Sequence, residues 1–149
     1  MRRPSPPSTS TVWWVVLASV VVTALHYTDN YISIEEYPQP DWIHRETVLI
    51  AWLLLTLVGI AGYMLFHAGR TLAAGFYLLV YSYTGTSSLG HYPFGGAEDF
   101  TTRMHLFIWT DAIVGFLVAG CALWILLSRR PDMRPEGLAP SWSYIADDP

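Results

Sequence analysis

Residues 104–127, MHLFIWTDAIVGFLVAGCALWILL, decide the fold of this chain. They hold no Lys, Arg or Glu, and Asp111 is the one carboxylate in an otherwise apolar run. A helix needs about 20 apolar residues to cross the roughly 30 Å hydrocarbon core of a bilayer, and this run is long enough. Three further apolar blocks precede it, at 12–25 (extendable to 31), 48–66 and 72–89. The first reaches spanning length only if His26, Asp29 and Asn30 stay helical at its end. The sequence therefore predicts an all-α polytopic membrane protein. It is expected to be a bundle of four transmembrane helices over about 12–31, 48–66, 72–89 and 104–127. Residues 1–11, rich in Pro, Ser and Thr, are expected to be a disordered cytoplasmic tail, and residues 129–149 a second cytoplasmic tail.

Composition supports that class. The chain has 149 residues, of which 13% are charged, about half the usual quarter. Arg2 and Arg3 ahead of the first block imitate a signal peptide, but no small-residue cleavage pattern follows, so an uncleaved helix is expected. All eight basic residues are Arg. Arg2, Arg3, Arg70, Arg129, Arg130 and Arg134 fall on one side of the four-span arrangement, and Arg45 and Arg103 on the other. Short loops rich in Arg stay cytoplasmic, so both termini are expected inside and the two longer loops outside. There is no basic patch away from the membrane flanks, which gives no support for nucleic-acid binding. The single cysteine, Cys121, excludes an intrachain disulfide and zinc-finger spacing. Absence of Lys beside abundant Ala, Gly, Arg and Pro points to a GC-rich genome and a bacterial cytoplasmic membrane.

Polar residues inside the blocks recur at helical spacing. Ser19, Thr23, His26 and Asn30 share one face of the first span, and Tyr77, Tyr81, Thr84, Ser88 and His91 one face of the third. Lipid satisfies neither hydroxyls nor carboxylates, so these stripes are expected to turn inward. Small residues on the second and fourth spans, such as Gly59 and Gly115, suit close helix approach.

Four histidines, His26, His44, His91 and His105, are expected at one face of the membrane, with His67 opposite. His44 reads as a loop residue. His26 has Asp29 three residues on and Asn30 four on, both neighbours on a helix. A carboxylate beside an imidazole fixes its tautomer and raises its basicity. Asp111 lies about 10 Å into its span, where a charge costs at least about 2.5–3.5 kcal/mol. It is expected to be uncharged or paired with an inward-facing His, and its partner to come from another helix. Asp29, Asp111 and His26 are thus the candidate catalytic residues. Asn30, Tyr81, Thr84, Ser88, His91 and His105 are the candidate ligand-binding residues. His26, His91 and His105 form a possible metal set, for a transition metal, or two of them for haem.

The layout of His26 and Asp29 near the end of the first helix, the Tyr37–Pro38 loop and the polar run of residues 81–88, YSYTGTSS, resembles the EXPERA class of four-helix membrane proteins, which includes the emopamil-binding sterol isomerases. The resemblance spans about residues 12–128. The second span here has no acid, whereas those isomerases carry carboxylates and a His in their central helices. What the resemblance implies is a cavity for an apolar molecule with a polar anchor. Three functions remain open from the sequence. The first is binding or conversion of a small lipid-like or isoprenoid-like molecule in an outward-opening pocket. The second is a haem or metal redox protein using the outer histidines. The third is a non-catalytic subunit of a membrane complex.

Overall fold

Apolar side chains cover the outside of this molecule. Ile113, Leu54, Leu57, Phe116 and Leu117 are each more than half exposed, in number far beyond what a water-facing surface carries as contiguous patches. A computed structural model describes residues 4–128, and among them every regular element is helical. The elements are α1 (Thr9–Ile32), α2 (Arg45–His67), α3 (Thr71–Thr86) and α4 (Thr102–Ser128), with two 3-10 helices, Ser87–Phe94 and Ala97–Asp99, between α3 and α4. By length and composition α1, α2 and α4 can each cross a membrane. The 16-residue α3 is shorter, and the chain tightens after Thr86 into the 3-10 helix that carries His91.

Each α-helix packs on its neighbours in sequence, and α4 returns to α1 to close the ring. The expected stripes are the faces turned inward: Ser19, Thr23, His26 and Asn30 of α1 and Tyr81, Thr84 and Ser88 of α3 and its 3-10 extension are all buried, and so are Ile108, Asp111, Gly115 and Val118 of α4. Tyr77, at the far end of the α3 stripe, is exposed. Glycines set the closest approaches. A Cβ on Gly59 would lie 2.6 Å from the Tyr81 ring, and one on Gly115 would lie 2.5 Å from the Thr86 backbone nitrogen. Trp52 Nε1 donates to Thr23 Oγ1 at 3.1 Å, tying α2 to α1.

Helix ends differ from expectation in places. α1 begins at Thr9, capped by Ser8, whose hydroxyl accepts from the Thr11 N–H. The stretch 1–11 is therefore partly helical, and the Ser5 carbonyl accepts from Trp124 Nε1 at 2.8 Å. Asp41 lies in a turn closed by Ile43 N–H to Pro40 O. Thr47 caps the start of α2 by accepting from the His44 N–H at 2.9 Å, and Pro38 and Pro40 hold the preceding chain out of helical geometry. Thr101 caps α4 by accepting from the Met104 N–H. The expected tail at 129–149, with Arg129, Arg130 and Arg134, lies outside the described residues.

Candidate functional site

His26, on the buried face of α1, donates or shares its Nδ1 proton with Asp111 Oδ2 of α4 at 2.7 Å. The side chains are 3% and 0% exposed. The carboxylate that orients His26 is thus Asp111, 85 residues away in sequence, and not the near neighbour Asp29. The His26 ring stacks on Phe107 of α4 with an interplanar angle of 4°. Its centroid lies 5.8 Å from that of His91.

Asp29 serves a different end. Its Oδ2 accepts from the Tyr37 hydroxyl at 2.7 Å, and its Oδ1 accepts from Arg103, which also reaches Ser33 and Glu36. That arrangement pins the first inter-helix loop to the start of α4. Burial, and then the Asp29 carboxylate, push the Tyr37 hydroxyl well above the ordinary phenol range, so it stays a donor.

His91 is locked by two bonds. Its Nδ1 faces the Pro38 carbonyl at 3.1 Å, which can only accept, so Nδ1 carries the proton. The amide nitrogen that meets Nε2 can only donate, so Nε2 is bare. Asn30 Nδ2 donates to that Nε2 at 3.2 Å, and the Asn30 carbonyl oxygen is left pointing elsewhere. Tyr27 donates its hydroxyl to the Thr84 carbonyl at 3.2 Å. Ser88 Oγ reaches the Gly85 and Ile108 carbonyls, which ties the 3-10 helix to both α3 and α4.

These residues border a cavity of about 380 Å³, inside the range of roughly 300–1,000 Å³ that holds small organic ligands. One wall is α1, with His26, Tyr27 and Asn30. A second is α2, with Val48, Ala51 and Leu55. The 3-10 segment contributes Ser88, His91 and Phe94, and the first loop closes the rim with Gln39, Pro40 and Trp42. The lining surface is mostly apolar. Among the described residues, His26 Nε2, Asn30 Oδ1, Gln39 Oε1 and Asp111 Oδ1 are buried without a hydrogen-bond partner.

The structure brings together His26, Asn30, Ser88 and His91 at the cavity, with Asp111 directly behind His26. Tyr81 and Thr84 are fully buried between helices and are not part of the lining. His105 is also apart: Tyr92 donates to its Nδ1 at 2.7 Å and its Nε2 donates to the Ala97 carbonyl at 3.2 Å. Those bonds staple the second loop onto α4. Accordingly, His26, His91 and His105 do not converge, and no group of three or more His, Cys, Asp or Glu placed to hold a metal ion occurs among the described residues. His44 is exposed at the start of α2, and His67 is exposed at its other end, 6.3 Å from the Tyr63 ring. Gln39, Tyr27 and Trp42 are lining residues that sequence patterning does not single out. A lone amide between Pro38 and Pro40 is the only local signal Gln39 offers.

Comparison with protein-family models, with curated proteins and with solved structures finds no match to this chain.

Proposed function

We propose that the chain crosses the bilayer four times with both termini cytoplasmic and holds a small, apolar, lipid-like molecule in the cavity beside His26. The observation that carries this reading is the buried His26–Asp111 pair, with His26 bordering an apolar cavity and its Nε2 buried without a hydrogen-bond partner. A polar pair at this depth is expensive, and the cavity lining is of the kind that receives hydrocarbon while a few polar atoms orient one end. The fourth crossing is made by α3 together with its 3-10 extension. At 1.5 Å per residue α3 supplies about 24 Å, and a 3-10 helix of this length adds roughly 16 Å, enough for the hydrocarbon core. The short turn holding Arg70 and the Arg-rich ends sit on the cytoplasmic side by the positive-inside rule. The layout likeness to the EXPERA class fits the same reading. His26, oriented by Asp111, is the group placed to take a proton from a bound molecule.

Purification in mild detergent, solvent extraction and mass spectrometry test this directly. The expected result is a near-stoichiometric amphiphile that falls to a small fraction in His26→Leu. An empty preparation, with Asp111→Asn indistinguishable from the parent protein, overturns the reading.

A further inference from the structure

The seams around the cavity are not equally closed. Between α1 and α2, Trp52 donates to Thr23, and the Arg45 guanidinium lies over the Tyr31 ring at 5.9 Å. The first loop is pinned where His91 Nδ1 meets the Pro38 carbonyl, and again through Tyr37, Asp29 and Arg103 to α4. Further along, α2 and α3 close on each other. A Cβ on Gly59 would lie 2.6 Å from the Tyr81 ring, and one on Gly62 would lie 3.0 Å from Leu78. Beyond that contact, toward Arg45, the two elements border the cavity from opposite sides. Ala51 and Leu55 continue the Gly59 row of α2 at steps of four, and Ser87 and Gly90 belong to the 3-10 extension of α3. The side-chain hydrogen bonds of α2 among the described residues go to α1 or stay at its own first turn, so none ties it to that extension. Ala51, Tyr83 and Gly90 all border the cavity and yet are exposed, and a Cβ on Gly90 would meet nothing within 4 Å.

The residues flanking this seam face lipid. Leu54, one turn on from Ala51, and Phe76 and Val80, in row with Tyr83 along α3, are each more than half exposed. Ala51 and Leu55 lie six and ten residues into α2, about 9 and 15 Å from its start, within one leaflet of a hydrocarbon core about 30 Å thick. We infer that the occupant is one hydrocarbon chain of an outer-leaflet lipid, which enters sideways through the seam between α2 and the 3-10 extension while the rest of the lipid stays in the bilayer. A chain taking this route passes from one apolar surrounding to another and crosses no water. A molecule arriving from water has to part the first loop against its tethers to His91 and Arg103. The headgroup stays at the membrane surface near Trp42, an exposed loop residue at the cavity rim whose amphipathic ring suits that level.

This inference rests on the four-span, lipid-binding reading, and the experiment separates the two. The full chain is reconstituted in vesicles of phosphatidylcholine, a fraction of which carries a diazirine midway along one acyl chain. After illumination, adducts are mapped by mass spectrometry. Adducts are expected on Val48 and Ser88, which border the cavity but are buried, as well as on Ile113 and Leu117 of the exposed α4 face. Ala51→Phe and Gly90→Phe place a ring in the seam at exposed positions. Each is expected to lower the Val48 and Ser88 adducts at least fivefold while those on Ile113 and Leu117 stay unchanged. Cavity adducts that persist undiminished in both variants overturn the sideways route. Adducts confined to Ile113, Leu117 and other exterior positions overturn the inserted chain. If an amphiphile still copurifies in that case, the cavity remains a ligand site filled by another route. If nothing copurifies either, both readings fall.

Discussion

A double-mutant cycle on His26 and Asp111 asks whether this pair is the central interaction of the site. The contact is 2.7 Å long between side chains 3% and 0% exposed, so neither water nor a second partner compensates when one member is removed. His26→Leu strands a carboxylate among helices, and breaking a buried pair in this way costs about 3–5 kcal/mol. Asp111→Leu strands a buried imidazole, for which the desolvation cost is about 1–3 kcal/mol. The double Leu variant strands neither and should be little worse than the milder single change. A charge-assisted bond contributes about 1.5–3 kcal/mol, whereas interhelical hydrogen bonds in a membrane protein average about 0.6 kcal/mol with a maximum near 1.7. The expected coupling energy lies above that maximum, read from reversible unfolding in mixed detergent micelles. Additivity within about 0.5 kcal/mol, the behaviour of independent sites, refutes the pairing. The control is Asp29→Leu combined with His26→Leu. These residues are three apart on α1, yet Asp29 bonds Tyr37 and Arg103 instead, so that cycle should be additive.

Gly115→Ala should destabilise by about 1–3 kcal/mol as an overpacked contact, because the added Cβ meets backbone atoms of Thr86, Gly85 and Ser82 that cannot turn aside. Gly120→Ala on the same helix meets nothing within 4 Å and should leave the melting temperature within a degree or two, roughly the shift of a surface change.

Much of the architecture was legible in one dimension because helical periodicity and lipid exclusion are local rules. Hydroxyls at Ser19 and Thr23 and the imidazole of His26 repeat every three or four residues, and a helix with such a stripe has one face that lipid does not satisfy. The same rule placed Asp111 toward the interior and required a partner from another helix. Which partner was not legible. Spacing favoured Asp29 for His26, since the two are neighbours on the helix. It could not show that Arg103, from a distant segment, draws Asp29 to the loop and frees His26 for Asp111. His105 looked equivalent to His91 at the end of an apolar run. Tyr92 and the Ala97 carbonyl, brought beside it by the second loop, use both its nitrogens.

The sequence by itself determined that long apolar helices form, which faces carry the polar residues, and that one carboxylate must find company inside. Those outcomes depend on chain-local hydrophobicity and on the 3.6-residue repeat. Tertiary structure alone decided how the polar atoms beside the cavity pair. Whether His26 Nε2, Asn30 Oδ1 and Gln39 Oε1 are left over depends on where their other atoms are consumed. Asp111, His91 and the Ile34 carbonyl consume them, and the first two are contacts between segments far apart in the chain.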